Sequence, residues 1–368
     1  MKYALLPVFI FCFFLLAFSD AAQAQNKYLE KKFQPFLTRG QTTWSIKGGM
    51  RKTDLDWNIA LEETGTVTPN IFNEQTWTDI LTAEVIASGR HVEPLDLGFV
   101  KGGLLVEGSV TLGYTVDGNG RLSSYLGDNR TLEFVRQTYN NTGGEAIGAD
   151  ITLGYEINLT GTPGYNAKKV MAAKTPRTSR GRMRQLRALN RELNRAGPYI
   201  SVTPLVGYAA DQQTYEREDA YQHIDTGDPD DPPVGYFHTE SDFITNWYGP
   251  FAGLEGTYKT RRNMIRLRGQ IHDVTYYGKG IEHSRADVLQ QDPSYDQEGD
   301  GNSLLLNAEY AYALSEDTAL TVDAMYRHRE IEDGVYKIYP LNAEPTVRKL
   351  NEVSDTAKAV HVGLRYNW

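Results

Sequence analysis

Cysteine is almost missing: of 368 residues, only Cys12 carries a thiol. It lies in an apolar leader expected to be removed, so the mature chain is expected to have no disulfide, no thiolate metal site and no cysteine nucleophile. Long hydrophobic runs are just as scarce. Past the leader no segment reaches the roughly 20 consecutive apolar residues that a helical span requires, which excludes a multi-helix membrane protein. A membrane β-barrel is not excluded, because its lipid face takes only every second residue. Basic charge is in deficit: 38 Lys and Arg stand against 47 Asp and Glu, a net charge of -9. Nucleic acid is therefore not expected as a partner, since phosphate binding depends on Lys and Arg. What the chain does have is tyrosine, 23 residues against 13 Phe and 5 Trp, which suits many positions that are apolar at one end and wet at the other.

The start of the chain reads as Lys2, an apolar run from Ala4 to Phe18, and the small-x-small end Ala22-Gln23-Ala24. This predicts a signal peptide over 1–24, cut after Ala24, and export of residues 25–368. A membrane anchor fits less well, because the run is short and carries Pro7. No Cys stands at the cleavage point to make a lipoprotein.

At the other end Val360, Val362, Leu364, Tyr366 and Trp368 alternate with His361, Gly363, Arg365 and Asn367, one face apolar and one polar. A half-buried strand of a soluble sandwich has the same pattern. The terminal aromatic resembles the last strand of outer-membrane barrels, which their assembly machinery reads. Similar alternation recurs in Leu304–Leu314, Leu320–Arg327, Tyr248–Tyr258, Ile265–His272, Val100–Tyr114 and Ala149–Leu159. With runs near 42–62, 74–91 and 198–215 these predict an all-β fold, a transmembrane antiparallel barrel of about ten strands. Short periplasmic turns are expected near 93–97, 259–263 and 315–317, and long extracellular loops near 63–73, 117–143, 216–241, 279–301 and 332–355. The polar face holds Glu84, Glu107, Glu156, Glu255, Arg266, Arg268, Glu309, Asp323, Arg327 and Arg365. In so narrow a barrel these charges are expected to pair and fill the lumen, since open porins need about 16 strands.

Two segments break the pattern. Residues 166–197 carry ten Lys and Arg against Glu192 alone, with Met183, Leu186, Leu189 and Leu193 at helical spacing. They form a basic periplasmic insertion, either a helix lying on anionic phospholipid or a solvated linker. Residues 216–242 are strongly acidic, as a solvated loop or a cation- or peptide-binding one. Asp296-x-Glu298-x-Asp300-Gly301 has some character of a calcium loop, but its spacing and missing distal Glu predict no metal.

Glu74-Gln75-Thr76-Trp77, Gly207-Tyr208 and Tyr248-Gly249-Pro250-Phe251-Ala252-Gly253-Leu254-Glu255-Gly256, in this order and architecture, resemble the omptin family of ten-stranded outer-membrane proteases. The resemblance covers most of the exported chain. It implies an active-site groove above the membrane, in which an Asp-x-Asp pair and an Asp-x-His dyad hold the attacking water, and lipopolysaccharide on the outer wall. If Tyr125 takes the place of the family's aromatic, Leu122 and Ser124 stand where the two acids belong, and neither ionises. Ile281 takes the place of the dyad Asp, leaving His283 beside Glu282. The catalytic candidates are therefore Asp128, Glu282 and His283, although the neighbours Glu282 and His283 face opposite ways on a regular strand. The expectation is a monomeric outer-membrane barrel, exported to a Gram-negative envelope and without cofactor. Its partners are membrane lipid, lipopolysaccharide by resemblance, and the assembly machinery through the strand ending at Trp368. It is expected to be non-proteolytic, with a binding, adhesion or structural role at the surface. The alternatives are an omptin-type peptidase or other hydrolase with a rearranged site, and a small channel.

Overall fold

The computed structural model describes residues 42–96, 101–160, 198–225, 233–260, 262–315 and 317–367. The predicted leader, the basic insertion 166–197 and Trp368 lie outside the described residues. The described chain forms eleven strands: β1 Thr42–Ile59, β2 Asn73–Asp96, β3 Lys101–Gly127, β4 Thr131–Asn140, β5 Glu145–Asn158, β6 Tyr199–Gln222, β7 Gly235–Lys259, β8 Asn263–Glu282, β9 Tyr295–Ala313, β10 Thr318–Ile338 and β11 Thr346–Asn367. All pairings are antiparallel, and the ring closes through β1 with β11 and β2 with β3.

Eleven strands make ten staves. The register that pairs Asn119 with Asn140 continues unchanged to pair Tyr114 with Glu145, so β4 and β5 are two halves of one stave. Gly143 and Gly144, at φ 109° and 91°, interrupt it, a conformation that side chains resist. Hydrogen bonds from Asn141 N to Gly118 O (2.9 Å) and from Thr115 N to Gly144 O (2.9 Å) carry the wall across the break.

One outward apolar side chain from each stave marks the lipid band: Ile46, Val85, Leu112, Leu153, Val206, Leu254, Leu267, Leu306, Val322 and Val362, all exposed. None of the other described residues covers this belt, and a barrel satisfies every backbone group between its strands, so the belt's solvent is lipid. Tyr258, Tyr310 and Tyr366 edge it below and Tyr114, Tyr208 and Tyr248 above, where ring bodies sit in acyl chains and hydroxyls in water.

The strands run on well past this band, which corrects the expected long loops. Residues 117–143 are mostly the continued β3 and its hairpin with β4, turning tightly at Asp128–Arg130. The acidic stretch 216–242 belongs largely to β6 and β7, and Asp296, Glu298 and Asp300 lie on β9 rather than in a loop. Above the lipid the apolar face changes sides. On β1 the apolar residues are Ile46 and Met50, outward, and then Leu55, Trp57 and Ile59, buried inside.

Candidate functional site

The lumen is a packed stack of ion pairs. All ten charges expected inside are there. Near the periplasmic end Glu255, fully buried, accepts from Arg90 at 2.8 Å and from Arg268 at 2.6 Å, while Glu107 takes the other side of both arginines at 2.7 and 2.8 Å. One layer up, Lys47 bridges Glu309 (3.0 Å) and Asp323 (2.7 Å), and His361 sits between Asp323 and Glu84 at 3.1 Å from each. Higher still, Asp211 meets Arg329 (2.9 Å), Arg327 (3.5 Å) and Arg51 (3.7 Å), and Asp355 closes the group on Arg327 at 3.1 Å. Charges so buried are tolerated only because nearly every one has an opposite neighbour. Small residues on β5 to β7, including Gly148, Ala149, Ala209 and Ala210, leave a cavity of about 250 Å³ against this charged wall.

Above the charges an aromatic plug fills the mouth. Trp57, Trp77, Tyr139, Tyr215, Phe243, Tyr276, Tyr295, Tyr336 and Val353 reach it from nine different strands. Trp77 stacks on Phe243 at 5.0 Å and 8°, and Tyr295 on Tyr336 at 5.4 Å and 26°. Trp57 touches Phe243, Tyr295 and Tyr336 at 5.9 to 6.2 Å. Two glycines make room: a Cβ on Gly120 would sit 1.9 Å from the Tyr139 ring, and one on Gly280 2.0 Å from that of Tyr295. Burial pushes the phenols of Tyr139, Tyr295 and Tyr336 well above the usual range. Tyr139 nevertheless finds a partner in Gln75 Nε2 at 2.6 Å. Arg329 lies over the Trp247 ring at 5.2 Å, joining the plug to the charges beneath.

The sequence-derived candidates lie around the rim, each in its own set of contacts. Asp128, at the β3–β4 tip, accepts from Thr68 Oγ1 (3.0 Å) and Asn70 N (2.8 Å), so both its oxygens pin the β1–β2 connection. Glu282 pairs with Arg217 at 2.5 Å, and Arg217 lies over the Tyr139 ring. His283 opens a short 3-10 turn, His283–Arg285, and its Nε2 is 3.3 Å from Asp242 Oδ2 on β7. No hydrogen bond or ion pair among the described residues joins Asp128, Glu282 and His283 to one another. Leu122 packs against the plug, and Ser124 is buried. Asp242 and Arg217 were missed as partners because both fall in the acidic stretch read as a loop. Among the described residues no group of three His, Cys, Asp or Glu is placed to hold a metal ion.

Comparison with known proteins agrees with this geometry. The family model "Pom: Protochlamydia outer membrane protein" matches residues 45–166 and 191–367. Among solved structures the chain is similar to the outer membrane protease OmpT from Escherichia coli, at 10% identity over 92% of this chain and 98% of that one, with a TM-score of 0.60. OprG from Pseudomonas aeruginosa aligns at 10% identity over the same shares, but its TM-score of 0.28 carries no argument. No curated protein matches. The likeness to OmpT is one of fold: an omptin-like outer-membrane barrel. By the extent of its family match, the chain belongs to the Protochlamydia outer membrane protein family, and its place is the outer membrane.

Proposed function

We propose that this protein is a non-proteolytic outer-membrane barrel that acts at the cell surface through the outer wall of its extended strands, as a binding or supporting element. The observation that carries this reading is the aromatic plug. A peptidase groove needs an open cleft with ionisable groups on facing walls and room for a water between them. Here that volume is filled by rings from eight strands, and the candidate acids are engaged elsewhere, Asp128 with the β1–β2 connection and Glu282 with Arg217. The plug and the paired lumen charges also favour this reading over a channel. Lipopolysaccharide around the wall and insertion by the assembly machinery belong to the same reading.

One observation favours a second reading, a hydrolase with a rearranged site: His283 and Asp242 are 3.3 Å apart and accessible, an arrangement that suits a general base and the group orienting it. The test is a quenched peptide library presented to refolded protein with lipopolysaccharide, beside His283→Ala, with folding verified by the heat-modifiable gel shift. The proposal expects no cleavage above buffer from either protein. Cleavage by the wild type that vanishes in the variant would overturn it in favour of the hydrolase.

A further inference from the structure

Outside the barrel, above the lipid, the wall formed by β2, β3, β4, β6 and β7 carries a cleft of about 650 Å³. The surface that carries it follows from strand register. One rung across the sheet reads Thr78, Asn119, Asn140 and Glu218; the next reads Thr76, Arg121, Thr138, Tyr221 and Tyr236. Residues two apart on a strand share a face, so the two rungs form one surface. Bulges on β2 at Asp79 (φ 59°) and on β6 at Asp219 (φ 49°) bracket it. Bulges bend strands and re-aim side chains.

At one end stand three rings. Tyr221 meets Tyr236 edge-on at 4.9 Å and His223 at 4.7 Å. Thr138 Oγ1 lies 2.9 Å from His223 Nε2 and holds that ring. Tyr236 is 87% exposed, so a full ring face looks outward. At the other end Asn119 and Asn140 are directly opposed across β3 and β4. Neither side-chain amide makes a hydrogen bond among the described residues. Arg121 is oriented by Ser123 (2.8 Å) and Glu133 (3.0 Å).

We propose that this cleft binds the pyranose rings of a short oligosaccharide. A pyranose offers an apolar C–H face and a rim of hydroxyls that both donate and accept. Rings of Tyr236 and Tyr221 suit the first, and the amides of Asn119 and Asn140, the Thr78 hydroxyl, the Asp219 carboxylate and the Arg121 guanidinium suit the second. Four strand spacings of about 4.8 Å make the surface roughly 19 Å across, the span of a few sugar rings. A nucleic acid is a poor fit, since among the described residues the only Lys or Arg lining the cleft is Arg121. A peptide is a poorer fit too, since the described lining of the cleft is more polar than apolar. On β6 and β7 the cleft lies about a dozen residues beyond Tyr208 and Tyr248, roughly 40 Å of strand. Its rings therefore stand clear of the bilayer.

This proposal rests on the reading of the outer wall as a binding surface. The test uses the full chain refolded in detergent, with folding checked by gel shift. One arm screens an array of free oligosaccharides. The other titrates core oligosaccharide released from bacterial lipopolysaccharide. Binding in either arm that weakens at least tenfold in Tyr236→Ala and in Asn140→Ala, and stays within about threefold in Tyr236→Phe, is the expected result, and the arm that binds names the source of the sugar. No binding in either arm, or binding unchanged in Tyr236→Ala and Asn140→Ala, would overturn the proposal. Neither outcome depends on peptide cleavage, so failure of the sugar site and failure of the non-proteolytic reading are separable.

Discussion

Replacing Trp77 by alanine is the most demanding test of the plug. The indole is 1% exposed and contacts three rings, Phe243 at 5.0 Å, Tyr215 at 5.2 Å and Tyr139 at 6.5 Å. A buried Trp→Ala costs about 3–5 kcal/mol, the transfer free energy plus the cavity it leaves. Each lost aromatic pair adds roughly 0.5–1.5 kcal/mol of geometry-dependent stabilisation. With three pairs lost in a site whose neighbours are themselves rigid rings, the upper half of that range, about 4–5 kcal/mol, is expected. For an m-value of about 1–3 kcal/mol/M the urea midpoint then falls by more than about 1 M. Heat-modifiable gel mobility follows the transition without relying on tryptophan emission, and Trp77→Phe, which keeps a ring on Phe243, should recover about half of the loss. A Trp77→Ala protein within about 1 kcal/mol of the wild type would refute the plug as a packed core.

Three further outcomes follow from the same geometry. Glu255→Gln removes the carboxylate that faces Arg90 and Arg268 and leaves buried guanidiniums underpaired, so a loss of about 3–5 kcal/mol is expected in urea titrations. Asp56, on the upper wall of β1, has its pKa raised to about 6 by burial and by the Glu352 and Glu74 carboxylates. Because the folded state binds this proton more tightly than the unfolded chain, stability falls as pH rises from about 4 through about 6. Asp56→Asn should accordingly stabilise by about 1 kcal/mol at pH 8, after allowance for partial exposure, and by nothing measurable at pH 4. Gly120→Ala would force a methyl group into the Tyr139 ring and should lower the melting temperature through about 1–3 kcal/mol of overpacking.

How far the sequence alone reveals this protein depends on height above the membrane. In the lipid band the solvent enforces one rule, apolar outward at every second residue. Val360, Val362, Leu364 and Tyr366 therefore announce a lipid face, and His361 and Arg365 announce the lumen. Above the band water lies outside and the apolar residues turn inward, as Leu55, Trp57 and Ile59 do on β1 and Val274 and Tyr276 on β8. Alternation persists there with its apolar phase reversed. Read with a single phase, these segments look like polar loops, which is why 216–241 and 279–301 have a loop signature in the sequence. The plug stayed hidden for the same reason: Trp57, Trp77, Phe243 and Tyr295 are far apart in the chain, and only the closure of the ring brings them together. The broken stave was hidden as well, because Gly143-Gly144 reads as a loop signal while the register on either side continues. Around the candidate site the replaced acids at Leu122, Ser124 and Ile281 were legible, whereas the engagement of Glu282 with Arg217 and of His283 with Asp242 depends on cross-strand neighbours that no spacing in one segment records.

The mouth of this barrel is filled by its aromatic plug above a lumen of paired charges. Planar-bilayer recording of refolded wild-type protein beside Trp77→Ala tests it most directly. No discrete conductance steps are expected from the wild type, with any current confined to the variant. Reproducible steps from the wild type, at a conductance that Trp77→Ala leaves unchanged, would contradict it.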